Sequence, residues 1–203
     1  ALTVFDKKIS ILEKAISDLA KGIVESATSQ QQLNKSQAEL TMELGENIKA
    51  IANNLSEVIK YGLIGDRCFF DWIEENLDGL LAHDSNLLTR AIRVSCQIKA
   101  SIVSQDETEQ GQRAILNFGH TFGHAIETFL QYRDWVHGEA IAVGMLMAMK
   151  LSVLQGGISE TDFDRLKVML KRCGLPTSPP ILMTAQDFNL IMMRDKKVMD
   201  GQL

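Results

Sequence analysis

Proline is nearly missing from this chain: three residues, all between positions 176 and 180, so the first 175 residues contain none. Nothing in that long stretch forces a helix to break. Aromatic residues are also few, at 6%, and no segment shows the alternating, β-branched pattern of strands, which argues against a sheet protein. Glycine-rich strand-to-helix turns are absent, so no dinucleotide or phosphate-loop fingerprint can be drawn. The "LQGGIS" glycines at 154–159 look instead like a turn between helices. Cysteines number three, at 68, 96 and 173, an odd and widely spaced set that excludes a disulfide framework or a paired-thiol metal motif. The expectation for them is buried, reduced thiols in a cytoplasmic protein.

Charge of one sign is lacking too. Lysine and arginine total 21 against 26 acids, a net charge of −5, and the basic residues are scattered among the acids. No basic stripe is available for nucleic acid. The N-terminal "ALTVFDKK" has no basic region followed by an apolar core, and the longest apolar run, Ala140 to Met149, is too short to cross a bilayer. The reading is a soluble cytoplasmic protein with neither nucleic acid nor membrane as partner. No initiating Met is present and the chain ends abruptly at "DGQL", which suggests a piece of something longer.

What is there is helical. Nine methionines and frequent Ala, Leu, Glu, Lys and Gln favour helices, and the fold class read from this is all-α. Two regions are distinguished. Over residues 1–54, Ile9, Leu12, Ile16, Leu19 and Ile23 alternate spacings of three and four, and the frame continues through Leu33, Leu40, Leu44 and Ile51. That is a heptad pattern. Ser26, Gln30, Gln37, Asn47 and Asn54 occupy core positions in the same frame and Gly22 and Gly45 interrupt it. An amphipathic helix on a core, a hairpin, a bundle and a rod joining a second copy or another helical partner all fit.

From about 55 to 203 the pattern becomes a series of shorter helices with readable ends. Asp66 can cap a helix carrying Phe69, Phe70, Trp72, Ile73 and Leu77, and "HDS" at 83–85 separates it from the next. Residues 86–103 place Leu88, Ile92, Ser95, Ile98 and Ile102 on one face. Ser159 with Asp162 and Thr184 with Asp187 approximate capping boxes, and Gly174 with Pro176 stops the helix between them.

The chemistry concentrates in "LNFGHTFGHAIETFLQYRDWVHGEA" (116–140), where three of the four histidines fall within eighteen residues. His120 and His124, four apart on a helix, point the same way about one turn apart. Neutral imidazoles suit zinc, cobalt, nickel or copper better than calcium or magnesium. Glycines 119 and 123 repeat the same spacing and allow another backbone or a ligand to come close. His137 follows the short break "QYRD" and would start the next helix, able to fold back on the first. Glu127, Asp134 and Glu139 all lie near enough to complete a metal site, and spacing does not choose among them.

Four blocks carry a family resemblance: "SEVIKYGLIGD" (56–66), "DETEQGQRAILNFGHTFGHAIE" (106–127), "WVHGEAIAVGM" (135–145) and "MRDKKVMDG" (193–201). In order and spacing they closely resemble the 3-dehydroquinate synthase family, of the sugar-phosphate cyclase superfamily, over about residues 55–203. The resemblance implies a helical C-terminal domain that holds a divalent metal, zinc or cobalt, beside an NAD-binding α/β domain. It implies a sugar-phosphate substrate, 3-deoxy-D-arabino-heptulosonate 7-phosphate, which is cyclised with loss of phosphate. By resemblance the metal ligands are Glu57, His120 and His137, and His124 is a catalytic or phosphate-contacting group. Lys60, Arg113 and Asn117 are assigned to the substrate's carboxylate, hydroxyls and phosphate, Lys60 and Arg113 as catalytic groups. Lys99 with Lys196 and Lys197 would supply further anion contacts.

Residues 1–54 depart from the family pattern, which there should alternate strands with helices and carry glycines at phosphate-contacting turns. The NAD-binding domain is thus not evident in this chain, and complete turnover by it alone is not expected. The competing expectation is a noncatalytic metal- or partner-binding helical module derived from the same domain.

Overall fold

The computed structural model describes residues 2–106 and 111–193, and between 2 and 49 it describes only some of the side chains. All regular structure among the described residues is helical: α1 (Leu2–Gly65), α2 (Arg67–Glu75), α3 (Leu77–Leu81), α4 (Ser85–Gln105), a 3₁₀ segment (Gln112–Asn117), α5 (His120–Phe129), α6 (His137–Leu154), α7 (Glu160–Arg172) and α8 (Ala185–Met192). The chain divides into two compact units, residues 1–48 and 49–203.

In the first unit the helix runs through Gly22 and Gly45 without a break, so the hairpin alternative is not formed. Leu33 and Leu40, heptad positions both, are 64% and 66% exposed. Ser26, Gln30 and Gln37 in the same frame are exposed as well. The side chains of Ile9, Leu12, Ile16, Leu19, Ile23, Leu44 and Asn47 lie outside the described ones.

The second unit is built around α6. Its residues from Ala140 to Met145 are buried on every side, and a helix apolar all round must be covered all round. One face, through Ile141, Ala142, Met145, Leu146 and Met149, joins the larger core with Leu55 and Ile59 of α1, Phe69, Phe70 and Ile73 of α2, and Leu166, Met169 and Leu170 of α7. The other face, through Ala140 and Val143, meets Ala125 and Ile126 of α5 and Phe188 and Met192 of α8. By length and composition α6 could cross a membrane, yet half of it is buried inside this body, where it serves as the core helix.

Helix ends follow local chemistry. The Asp66 carboxylate accepts from the backbone N–H of Cys68 and Phe69, and Asp84 does the same for Asn86 and Leu87. Ser159 accepts from the Asp162 N–H, and Thr184 with Asp187 closes a reciprocal capping box. Each such cap is worth about 1 kcal/mol. After α7, Gly174 takes the left-handed conformation at φ 74°, which glycine adopts without steric cost.

Two expectations need correction. The inward face of α4 is centred on Ala91 and Ser95, with Leu87, Leu88, Val94 and Ile98 beside them, and Ile92 is 60% exposed. Ile92 falls outside the set of α4 side chains that pack on the larger core, which Leu87, Leu88, Ala91, Val94 and Ile98 supply. Cys173 is buried, but Cys68, in the first turn of α2, and Cys96, on the outer side of α4, are exposed.

Candidate metal centre and anion cleft

The close approach of α5 and α6 places the histidines. Gly119 begins α5 in the left-handed conformation at φ 79°, and a Cβ there would come within 2.8 Å of the Met145 backbone nitrogen. From the other side, a Cβ on Gly144 would overlap the Gly119 carbonyl oxygen. The glycines at 119 and 144 therefore let the start of α5 touch the middle of α6, and the two helices run antiparallel, with Gly123 against Ala140 and Ile141 and Glu127 against His137. His120, His124 and His137 gather as a result, with ring centroids 5.5 Å apart for His120 with either partner and 6.3 Å for His124 with His137.

Two hydrogen bonds determine the tautomers. His120 Nδ1 lies 3.2 Å from the Phe118 carbonyl oxygen, which can only accept, so Nδ1 carries the proton and Nε2 the lone pair. His137 Nδ1 lies 2.9 Å from Glu127 Oε1, a carboxylate oxygen, which leaves His137 Nε2 as the atom it can offer.

Glu57 arrives from α1. Its Oε2 accepts a 2.6 Å bond from Lys60 Nζ one turn on. Its Oε1 is buried and finds no donor among the described residues, and His120 Nε2 is 3.9 Å away. Two lone pairs thus face each other across a short gap, an arrangement that favours a cation between them. One ligand atom from each of Glu57, His120 and His137 falls within 4.8 Å of the others. The donor set fits a divalent metal of the zinc or cobalt class and leaves coordination positions for substrate oxygens.

The electrostatics agree. Burial pushes the His120 imidazole down to about 4, helped by the Lys60 ammonium, while the Phe118 carbonyl and the Glu57 carboxylate pull the other way. A neutral ring is the form that binds a metal. Burial and the neighbouring Glu57 raise the Tyr61 phenol, keeping it protonated.

Beside this cluster opens a cleft of about 480 Å³ lined by Glu57, Lys60, Tyr61, Lys99, Arg113, Leu116, Asn117 and His120. Four sequence-derived polar residues from three separate segments, Lys60, Lys99, Arg113 and Asn117, thus meet around one space. Lys60 is 3% exposed, its stem buried and its ammonium on Glu57, with the Tyr61 ring 5.3 Å away. His124 sits with the other histidines but is not among the three metal-competent donors. Lys196 and Lys197 lie outside the described residues.

Several contributors carried no readable signal in the sequence. Asp106 Oδ2 accepts from the backbone N–H of Gly111 and Arg113 at 2.9 and 3.0 Å, which ties down the segment leading to Arg113 and Asn117. Asn53 Oδ1 accepts from the Gly138 N–H, docking the start of α6 one turn before Glu57. Of the three acids near the histidines, Glu139 Oε2 accepts from the Val136 N–H, Asp134 is exposed, and Glu127 turns to the far nitrogen of His137.

The 3-dehydroquinate synthase C-terminal family matches residues 54–198. The chain belongs to this family. Two of its relatives named 3-dehydroquinate synthase, from Haemophilus ducreyi and Acinetobacter baumannii strain AYE, are 50% and 52% identical over 155 residues. That stretch is 76% of this chain and 43% of each relative, so the chain spans less than half the length of the curated proteins it matches. Among solved structures, a 2-epi-5-epi-valiolone synthase from Streptomyces hygroscopicus subsp. jinggangensis, with NAD+ and Zn2+ bound, superimposes with a TM-score of 0.68 at 22% identity. It too is matched over 76% of this chain and 43% of its own, and the agreement is one of fold.

Proposed function

We propose that residues 54–198 form the metal- and substrate-holding half of a 3-dehydroquinate synthase. The reaction converts 3-deoxy-D-arabino-heptulosonate 7-phosphate into 3-dehydroquinate and phosphate, in the shikimate route to aromatic amino acids. The observation that carries this reading is the pair of facing lone pairs on Glu57 and His120, set beside a cleft lined by Lys60, Lys99 and Arg113. Relatives named for this reaction support it.

Glu57, His120 and His137 would hold the ion, zinc or cobalt. Once bound, it supplies Lewis-acid polarisation of substrate hydroxyl and ketone oxygens. The chain's own residues bind and orient the substrate. Arg113 offers a planar fork suited to a carboxylate or phosphate, and Lys99 and Lys60 add positive charge within the same 480 Å³. Asn117 can both donate to and accept from hydroxyls. Lys196 and Lys197 are assigned further contacts with the anionic groups. His124, beside the metal-competent cluster, would pass a proton to or from the departing phosphate.

NAD belongs to this chemistry as the hydride carrier. The regular structure of the described residues is helical throughout, with no α/β domain among them to hold it. The 203-residue chain is accordingly expected to bind one divalent metal and the phosphorylated substrate without releasing phosphate by itself. Metal analysis together with calorimetric titration of a nonreactive phosphonate analogue of the substrate tests this. Neither metal nor analogue binding would overturn it. Metal binding without analogue binding would favour a noncatalytic metal- or partner-binding module.

A further inference from the structure

Glu127 stands out as a buried acid that the catalytic reading does not use. It is 8% exposed, in the second turn of α5, and a carboxylate in such surroundings is costly unless a donor meets it. The donor given by the structure is His137 Nδ1 at 2.9 Å. His137 itself is 44% exposed in its side chain, so packing alone does not hold the ring. Its partner ligand is held differently: His120 is 13% exposed in its side chain, and a backbone carbonyl receives its Nδ1 proton.

We infer that Glu127 is a positioning residue for the metal centre: by accepting the Nδ1 proton of the half-exposed His137, it selects the tautomer and ring orientation that aim Nε2 at the ion. The arrangement makes α5 bifunctional. It contributes one ligand, His120, and, two turns later on the same helix, the group that orients the other. A metal-ligating imidazole donating its second N–H to a carboxylate is held in place and made a better donor, and loss of such a partner weakens metal binding by ~10–100-fold. The asymmetry also has a physical reason. His120 is enclosed and needs only a neutral acceptor, whereas a ring open to water needs a charge-assisted bond, about twice as strong, to stay in one orientation.

This inference rests on the metal-centre reading, and two measurements keep the two apart. The first is the tautomer of His137 in the metal-free 203-residue chain, read from two-bond nitrogen-proton couplings in NMR. Protonation at Nδ1 is expected, and protonation at Nε2 would overturn the inference whether or not metal binds. The second is zinc affinity by competition with a chelator, for wild type, Glu127→Ala, Glu127→Gln and His120→Ala. Glu127→Ala should bind zinc ~10–100-fold more weakly, and Glu127→Gln, which keeps an acceptor oxygen, should recover part of that loss. A folded Glu127→Ala variant with wild-type affinity would overturn the inference. Should that variant fail to fold, the wild-type tautomer decides alone. If His120→Ala retains zinc, the metal-centre reading is what fails, and the tautomer still tests the role of Glu127.

Discussion

Residues 25–43 and residues 51–63 belong to the same helix and the same heptad frame, Leu33 and Leu40 recurring seven apart in the first and Ile51, Leu55, Val58 and Ile59 at spacings of three and four in the second, yet their fates differ. In the first stretch every side chain is exposed, Leu33, Leu40 and Met42 at 64–69%. In the second, Leu55 and Ile59 are 3% and 0% exposed within the larger core. Periodicity reports which face of a helix is apolar. Whether that face has anything to rest on is a separate matter, decided here by α2, α6 and α7.

The sharpest way to break this comparison is to delete packing from the body. Ile141→Ala removes a fully buried side chain from α6 and should cost ~2–5 kcal/mol, read from urea unfolding followed by the fluorescence of Trp72 and Trp135. A cost below about 1 kcal/mol would mean that α6 is not packed as described. Gly144→Ala adds a methyl group where the Gly119 carbonyl already sits, so α5 and α6 must separate. A loss of ~1–3 kcal/mol or more is expected, together with weakened metal binding, since the same contact gathers the histidines.

Charge contacts sharpen the contrast with a smaller effect. In residues 25–43 one ion pair, Lys35 with Glu39 at 3.9 Å, is fully at the surface. In the body, Arg165 reaches both Asp71 and Glu74. The hydrogen bond from Arg165, with Arg67 assisting, holds the Asp71 carboxyl below its usual range. A carboxyl with a lowered value in the folded state binds fewer protons than in the unfolded chain, so its stabilisation is present above ~pH 4 and is lost as the pH falls through the folded value. Asp71→Asn should therefore narrow the difference in unfolding midpoint between pH 6 and pH 3, and an unchanged difference would contradict the pairing. Smallest of all, Leu33→Ala or Leu40→Ala should change stability by no more than ~0.5 kcal/mol. A larger cost that grows with protein concentration would mean that a second copy covers this face.

Much of the body could be read before any coordinates, because its helix ends are local chemistry. Asp66, Ser159 and Thr184 cap where a short acceptor precedes an apolar-periodic run, and Gly174 stops α7 where a left-handed residue is needed. The cleft residues were legible for another reason: Lys60, Arg113 and Asn117 are unremarkable singly and became visible only through the family's blocks. Features set by tertiary partners stayed hidden. Spacing gave no hint that Glu127 would turn to His137, that Asn53 would receive the Gly138 N–H, or that Gln131 and Tyr132 would both adopt left-handed conformations in the loop joining α5 to α6. The rotation of the α4 face away from Ile92 is of the same kind, since it depends on neighbours that the helix's own sequence does not name.

The account rests on three donors from α1, α5 and α6 closing on one cation. Metal content after purification and exchange into zinc-containing buffer tests it most directly, across wild type, Glu57→Ala, His120→Ala, His137→Ala and His124→Ala. One zinc per chain is expected in wild type and in His124→Ala, with loss in the other three and helical content preserved throughout. Zinc retained at full stoichiometry in folded His120→Ala and His137→Ala, or absent from wild type, would contradict it.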